Sequence, residues 1–162
     1  MERVERINIM LNGRTHDITF NPEVNIICGK NGSGKTELLN LIFNEFESVA
    51  IVHEIHSRVK AQEYFEGLDY KDKEKVLYYM SKKFQELGQN CSVYYRLAVL
   101  IFALLQSQIL LIDLPEIGLH IDICETFIKR LREINPNAQL IIATHCPAII
   151  TGWKDRVICL DK

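Results

Sequence analysis

Apolar residues alternate with polar ones at Ile7, Ile9 and Leu11, and again at Ile18 and Phe20, with Asn12-Gly13 between the two runs. A period of two on either side of an Asn-Gly pair predicts two antiparallel strands joined by a tight turn. After Asn21-Pro22 the pattern changes to a near-continuous apolar run, Val24-Asn25-Ile26-Ile27-Cys28, which reads as a short buried strand. From Thr36 to about Phe46 the period becomes helical, with Leu38, Leu39, Ile42 and Phe46 on the inner face. Val49–Val52 reads as another strand, and the charged stretch Ser57–Glu66 as a helix stopped at Gly67. Between Asp69 and Gly88, Val76, Leu77, Met80, Phe84 and Leu87 form one helical stripe with an acidic start and a glycine stop.

The second half is more apolar. Arg96–Leu105 is hydrophobic nearly all round, as expected of a helix enclosed by neighbours. Ile109-Leu110-Leu111-Ile112 and Leu140-Ile141-Ile142-Ala143 are aliphatic runs suited to parallel strands covered on both faces. Between them Cys124, Phe127, Ile128, Leu131 and Ile134 mark a helix, and Val157–Leu160 closes the series. Strands alternating with helices predict an α/β fold with a mainly parallel sheet and an antiparallel hairpin at its start. Residues 1–162 fit a single domain with a small helical insertion at approximately 55–95.

Composition narrows the partners. The net charge of −2 gives no support for nucleic acid. The longest apolar run, Leu97–Leu105, is far shorter than the roughly 20 residues that cross a bilayer. Met1-Glu2-Arg3 lacks the apolar core of a secretory signal, so a cytoplasmic protein is expected. The five cysteines (Cys28, Cys91, Cys124, Cys146 and Cys159) contain no CxxC pair and read as reduced core residues. His53-Glu54-Ile55-His56 has the wrong spacing for a zinc helix, and no zinc is expected.

The chemistry is concentrated at Gly29-Lys30-Asn31-Gly32-Ser33-Gly34-Lys35-Thr36, a complete GxxxxGK[ST] loop placed between a strand and a helix. Its glycines let backbone N–H groups turn toward phosphates, the helix start adds a positive dipole, and Lys35 reaches the outer phosphates. The cofactors expected are ATP and Mg2+, held by Gly29, Asn31, Gly32, Ser33, Gly34, Lys35 and Thr36. The Thr36 hydroxyl and Asp113, directly after an aliphatic strand, are the candidate metal ligands. No adenine-stacking aromatic stands out, and Arg6, Arg14 and Phe20 are the nearest candidates.

Three segments carry a family resemblance. Ile112-Asp113-Leu114-Pro115-Glu116-Ile117-Gly118-Leu119-His120 resembles the D-E-P-E-x-x-L-H run of ABC-type ATPases of the SMC, RecF and overcoming-lysogenization-defect groups. Ala143-Thr144-His145-Cys146-Pro147 resembles their A-T-H-S-P segment, and Asn31–Thr36 their N-G-S-G-K-[ST] loop. The resemblance implies that His145 senses the γ-phosphate and that Ser92 lies in the serine-glycine signature, which meets a partner's nucleotide across a dimer. Gln62 or His53 would stand in for the family's glutamine.

Two departures matter. Leu114 occupies the place of the glutamate that activates water, leaving Glu116 as the nearest carboxylate, and loss of a general base typically lowers rate by roughly 10²–10⁴. Val93 replaces the signature glycine, where a side chain would crowd a phosphate. The expected function is an ATP- and magnesium-binding ATPase subunit of weak turnover, working through a homodimer or hetero-complex at its nucleotide face. It would control a separate effector protein, as in a bacterial or phage conflict system. The alternatives are a non-hydrolysing regulatory module and, less favoured by the histidine segments, a small-molecule P-loop kinase.

Overall fold

The strand signals resolve into two sheets in the computed structural model, which describes residues 1–53, 58–113 and 119–161. β1 (Arg6–Leu11) and β2 (Arg14–Thr19) pair antiparallel, with Leu11 opposite Arg14. Asn12 and Gly13 between them both have positive φ, 51° and 79°, the turn that matches the natural twist of a hairpin. β3 (Val24–Cys28), β4 (Val49–His53), β5 (Ile109–Asp113), β6 (Gln139–Ala143) and β7 (Val157–Cys159) form a five-stranded parallel sheet in the order β4-β5-β6-β3-β7.

Helix α1 (Lys35–Glu45) joins β3 to β4. Helices α2 (Arg58–Glu66), α3 (Tyr70–Lys83) and α4 (Tyr94–Gln106) lie between β4 and β5. α5 (Ile121–Ile134) joins β5 to β6, and α6 (Pro147–Thr151) with a tight turn over Lys154–Arg156 leads to β7. Because strand side chains alternate between faces, the sheet supports two cores. Ile26, Leu110, Ile112, Leu140 and Ile142 pack with α3, α4 and α5, whereas Ile27, Ile109, Leu111, Ile141 and Ala143 pack with α1 and the hairpin. This is the α/β class that the alternating pattern predicts. Among the described residues, no helix is long and apolar enough to cross a membrane.

Two buried amides tie the hairpin to the parallel sheet. The Gln139 side chain accepts from the Val4 N–H at 2.7 Å and donates to the carbonyls of Val4 and Asn21, both at 2.9 Å. Asn25 accepts from the Asn21 N–H at 2.7 Å and donates to its carbonyl at 2.8 Å. Both side chains are buried in otherwise apolar strands, and they supply partners for the backbone of buried Val4 and half-buried Asn21.

Some elements differ from the periodicity. α3 ends at Lys83 rather than near Gly88. Phe84 leaves the helical region (φ −135°, ψ 42°) with its ring fully buried, and Arg130 donates to the Lys83 carbonyl at 2.8 Å in place of a further helical turn. Leu77, read as part of the inner stripe, is 37% exposed, because α3 fully buries only Val76 and Met80. Of the five cysteines, only Cys124 is buried; Cys28, Cys91, Cys146 and Cys159 are partly exposed free thiols.

Replacing Gln139 with Ala orphans the buried Val4 N–H and carbonyl. It is expected to lower stability by about 2–4 kcal/mol, measured by chemical denaturation; a loss under about 0.5 kcal/mol would show that the hairpin is held by apolar packing alone.

Candidate functional site

The glycine loop begins where β3 ends. Gly29 has φ +153°, and a side chain there would place its Cβ 2.6 Å from Ser33 Oγ. Gly34, with φ +102°, sits at the start of α1, where an added Cβ would lie 3.0 Å from the Leu11 side chain. The hairpin therefore presses on the loop, and only glycine admits both the left-handed backbone and that approach. The turn is closed by the Ser33 N–H on the Lys30 carbonyl at 3.0 Å. No side chain caps α1, so the first-turn N–H groups and the positive end of its dipole face the loop.

Lys35 is 8% exposed and bends back over the loop, donating to the carbonyls of Gly29 at 2.5 Å and Lys30 at 3.1 Å. Ser33 Oγ is buried without a hydrogen-bond partner among the described residues. On the far side Asp161 accepts the Lys30 N–H at 3.0 Å on each carboxylate oxygen, and Arg14 donates to the Asp161 carbonyl at 2.7 Å. Asp161 lies just past β7 in no motif, so no local pattern marks it. Below the loop, Cys28 stands beside its register partner Cys159, and burial, followed by that neighbouring thiol, pushes its pKa up. Such a thiol stays protonated at neutral pH and is a poor metal ligand.

The parallel register aligns the strand ends. Asp113 at the end of β5 pairs with Ala143 of β6, and Thr144 donates its N–H to the Ile27 carbonyl of β3 at 3.2 Å. Across this edge the Thr36 hydroxyl donates to Asp113 Oδ2 at 3.1 Å. His145 follows Thr144 and is exposed on the same edge of the sheet. Thr144 is itself buried, its hydroxyl accepting the Cys146 N–H at 2.9 Å before α6.

The other predicted positions are distributed differently. Ser92 is exposed in the turn before α4, and among the described residues no hydrogen bond joins it to Gly29–Thr36. Val93, expected to crowd a phosphate, has its side chain turned inward at 3% exposure and φ −99°, a backbone that any residue adopts. Gln62 donates to Glu66 along α2 at 3.0 Å. Phe20 is buried in the hairpin core and Arg6 is paired with Asp17, so of the three adenine-side candidates only Arg14 lines the cleft beside Lys30 and Asn31. Leu114 and Glu116, with residues 54–57, lie outside the described residues.

These groups fit a phosphate chain with a hard divalent cation. The left-handed glycines, uncapped helix start, lone buried hydroxyl and ammonium offer donors, and Thr36 with Asp113 offers oxygen ligands. Thr36 and Asp113 would supply two oxygen ligands, and magnesium commonly completes its shell with water and phosphate oxygens.

Comparisons with known proteins agree with this geometry. Residues 91–151, from the turn before α4 to the end of α6, match the family described as "AAA domain, putative AbiEii toxin, Type IV TA system". The structure is similar to a nucleotide-free ATP-binding cassette from an ABC transporter, with a TM-score of 0.65 at 13% identity, covering 96% of this chain and 85% of that one. It is similar to cbiO1 from Clostridium perfringens, part of the ABC transporter complex cbiONQ (TM-score 0.63, 16% identity, 96% and 82% covered). It is also similar to the SMC head domain from Thermotoga maritima (TM-score 0.61, 14% identity, 90% and 89% covered). No curated protein matches the sequence. The fold is that of ABC-type P-loop ATPases, and the chain resembles their SMC and AAA group.

Gly34→Ala is expected to destabilise the chain by about 1–3 kcal/mol through backbone strain and the clash with Leu11. Pairing it with Leu11→Ala should recover part of the loss in thermal denaturation. Strictly additive losses would show that Leu11 does not set the glycine requirement.

Proposed function

We propose that this chain is an ATP-binding, ABC-type ATPase subunit that turns over slowly and controls a partner protein by nucleotide-dependent association. The observation that carries the reading is the Thr36 hydroxyl 3.1 Å from Asp113, beside Lys35 at the mouth of the loop. The loop amides from Gly32 to Thr36 bind and orient the phosphates, and Lys35 exchanges its two loop carbonyls for phosphate oxygens. Thr36 and Asp113 would hold a magnesium ion, which would offset negative charge on the outer phosphates. His145, exposed at the adjoining strand end, donates to the terminal phosphate, and Ser92 completes a site across an interface with a second copy or another protein.

Leu114 stands where the family's water-activating glutamate would be, and leucine accepts no proton. Glu116 is the nearest carboxylate in sequence and serves as a weaker base. The description of the matched family, a putative toxin of a type IV TA system, supports a conflict-system setting, and in this reading the effector is a separate protein. Leu114 also favours a second reading, a nucleotide-binding regulatory module that does not hydrolyse ATP.

Lys35→Ala is expected to abolish ATP binding with an unchanged circular dichroism spectrum; unaltered affinity would remove the loop as the nucleotide site. In single-turnover hydrolysis the wild type should release phosphate slowly, and Leu114→Glu should accelerate it by roughly 10²-fold or more. Binding without phosphate release in either protein would select the regulatory module.

A further inference from the structure

β4 is an edge strand of the parallel sheet. It pairs with β5 along one side, and among the described residues no backbone hydrogen bond joins the other side of Val49–Val52 to anything. Natural edge strands are usually blunted by charges, prolines or bulges. Val49-Ala50-Ile51-Val52 carries none of these, and all four residues are partly exposed.

Beside this edge lies a cavity of about 490 Å3, walled by α2 and α4 and lined mostly by apolar atoms. It touches Ala50, Ile51 and Val52 in succession. Consecutive strand residues point to opposite faces, so a space that reaches all three opens along the strand's edge and its free backbone row. Tyr64 and Phe102 pack edge to face, centroids 6.2 Å apart, on its outer wall. The cavity is also lined by a cation, Arg96, that no acidic side chain pairs with among the described residues. Arg96 is partly buried, its Nε is enclosed without a hydrogen-bond partner, and no ion pair or hydrogen bond engages its guanidinium among the described residues. Lys60 lines the same wall. An enclosed guanidinium nitrogen without an acceptor is unfavourable, and a carboxylate seated in the groove would relieve it.

We infer that this groove is a docking site for an extended segment of a partner protein, added as a sixth strand along β4. The segment's backbone completes the free edge, its alternate apolar side chains fill the space over Phe102 and Tyr64, and an acidic side chain meets Arg96. A strand is favoured over a helix because the groove follows a backbone edge rather than an apolar face. The site is separate from the glycine loop and does not rest on the nucleotide reading.

The test is panning of phage-displayed random dodecapeptides on the purified chain, followed by fluorescence anisotropy of the best synthetic peptide. The expected winners alternate apolar residues with at least one Asp or Glu, and their binding slows amide exchange at Val49–Val52. Arg96→Glu should weaken that peptide by roughly 30-fold or more, and Tyr64→Ala, at an exposed position on α2, should also weaken it while circular dichroism confirms both folds. Absence of enrichment, winners with a helical or basic pattern, or affinity unchanged by both substitutions would overturn the proposal. Nucleotide binding by the same variants should remain at the wild-type level.

Discussion

The structure depends on the parallel ladder in which β3 lies between β6 and β7, with β5 beyond β6. Most residues of β3, β5 and β6 are buried, and aliphatic side chains face one another across the central strands: Ile26 beside Ile142, Ile112 beside Ile142 on the next pair. A slip of one residue would exchange the two cores, so the register is strongly specified. Parallel strands end on one side, and the same register therefore delivers the loop after Cys28, the Asp113 carboxylate and the Thr144-His145 turn to a common edge. The chemistry of the site follows from that alignment more than from any single contact.

The ladder alone does not shape the loop. Leu11 at the end of β1 closes down on Gly34, Gln139 and Asn25 hold the chain before β3 against the sheet, and Asp161 after β7 receives the Lys30 N–H. Leu11 and Asp161, from opposite ends of the chain, thus bear directly on the loop, while Gln139 and Asn25 hold the segments that flank the hairpin. Such over-determination is what allows the glycines to persist in left-handed backbone and keeps the first-turn amides of α1 aimed outward. It also connects stability to binding, since loosening the hairpin would relax the loop that it presses upon.

Much of this was legible in the sequence, for physical reasons. The hairpin shows itself by a period of two around Asn12-Gly13, and the buried strands by aliphatic runs too short for helices. The loop is recognisable because its spacing is local and lies between a strand and a helix, and Asp113 because it directly follows such a run. What escaped is what depends on distant parts of the chain meeting. Asn25 and Gln139 look like interruptions of apolar strands, yet they serve as partners for backbone groups more than a hundred residues away in the case of Gln139 and Val4. Asp161 has no neighbouring pattern to announce it. Val93 reads as an obstruction only while its side chain is imagined pointing outward, and Leu77 reads as core only while α3 is assumed to bury a wider stripe than it does.

The central claim is that the edge formed by Gly29–Thr36 and Asp113 takes a nucleotide together with a divalent cation. Isothermal titration of ATP into the wild-type chain, with magnesium and again with the metal chelated, measures this directly. The account predicts saturable binding of a single nucleotide per chain that weakens markedly when magnesium is withdrawn. Absence of binding in both conditions, or an affinity indifferent to the metal, would contradict it.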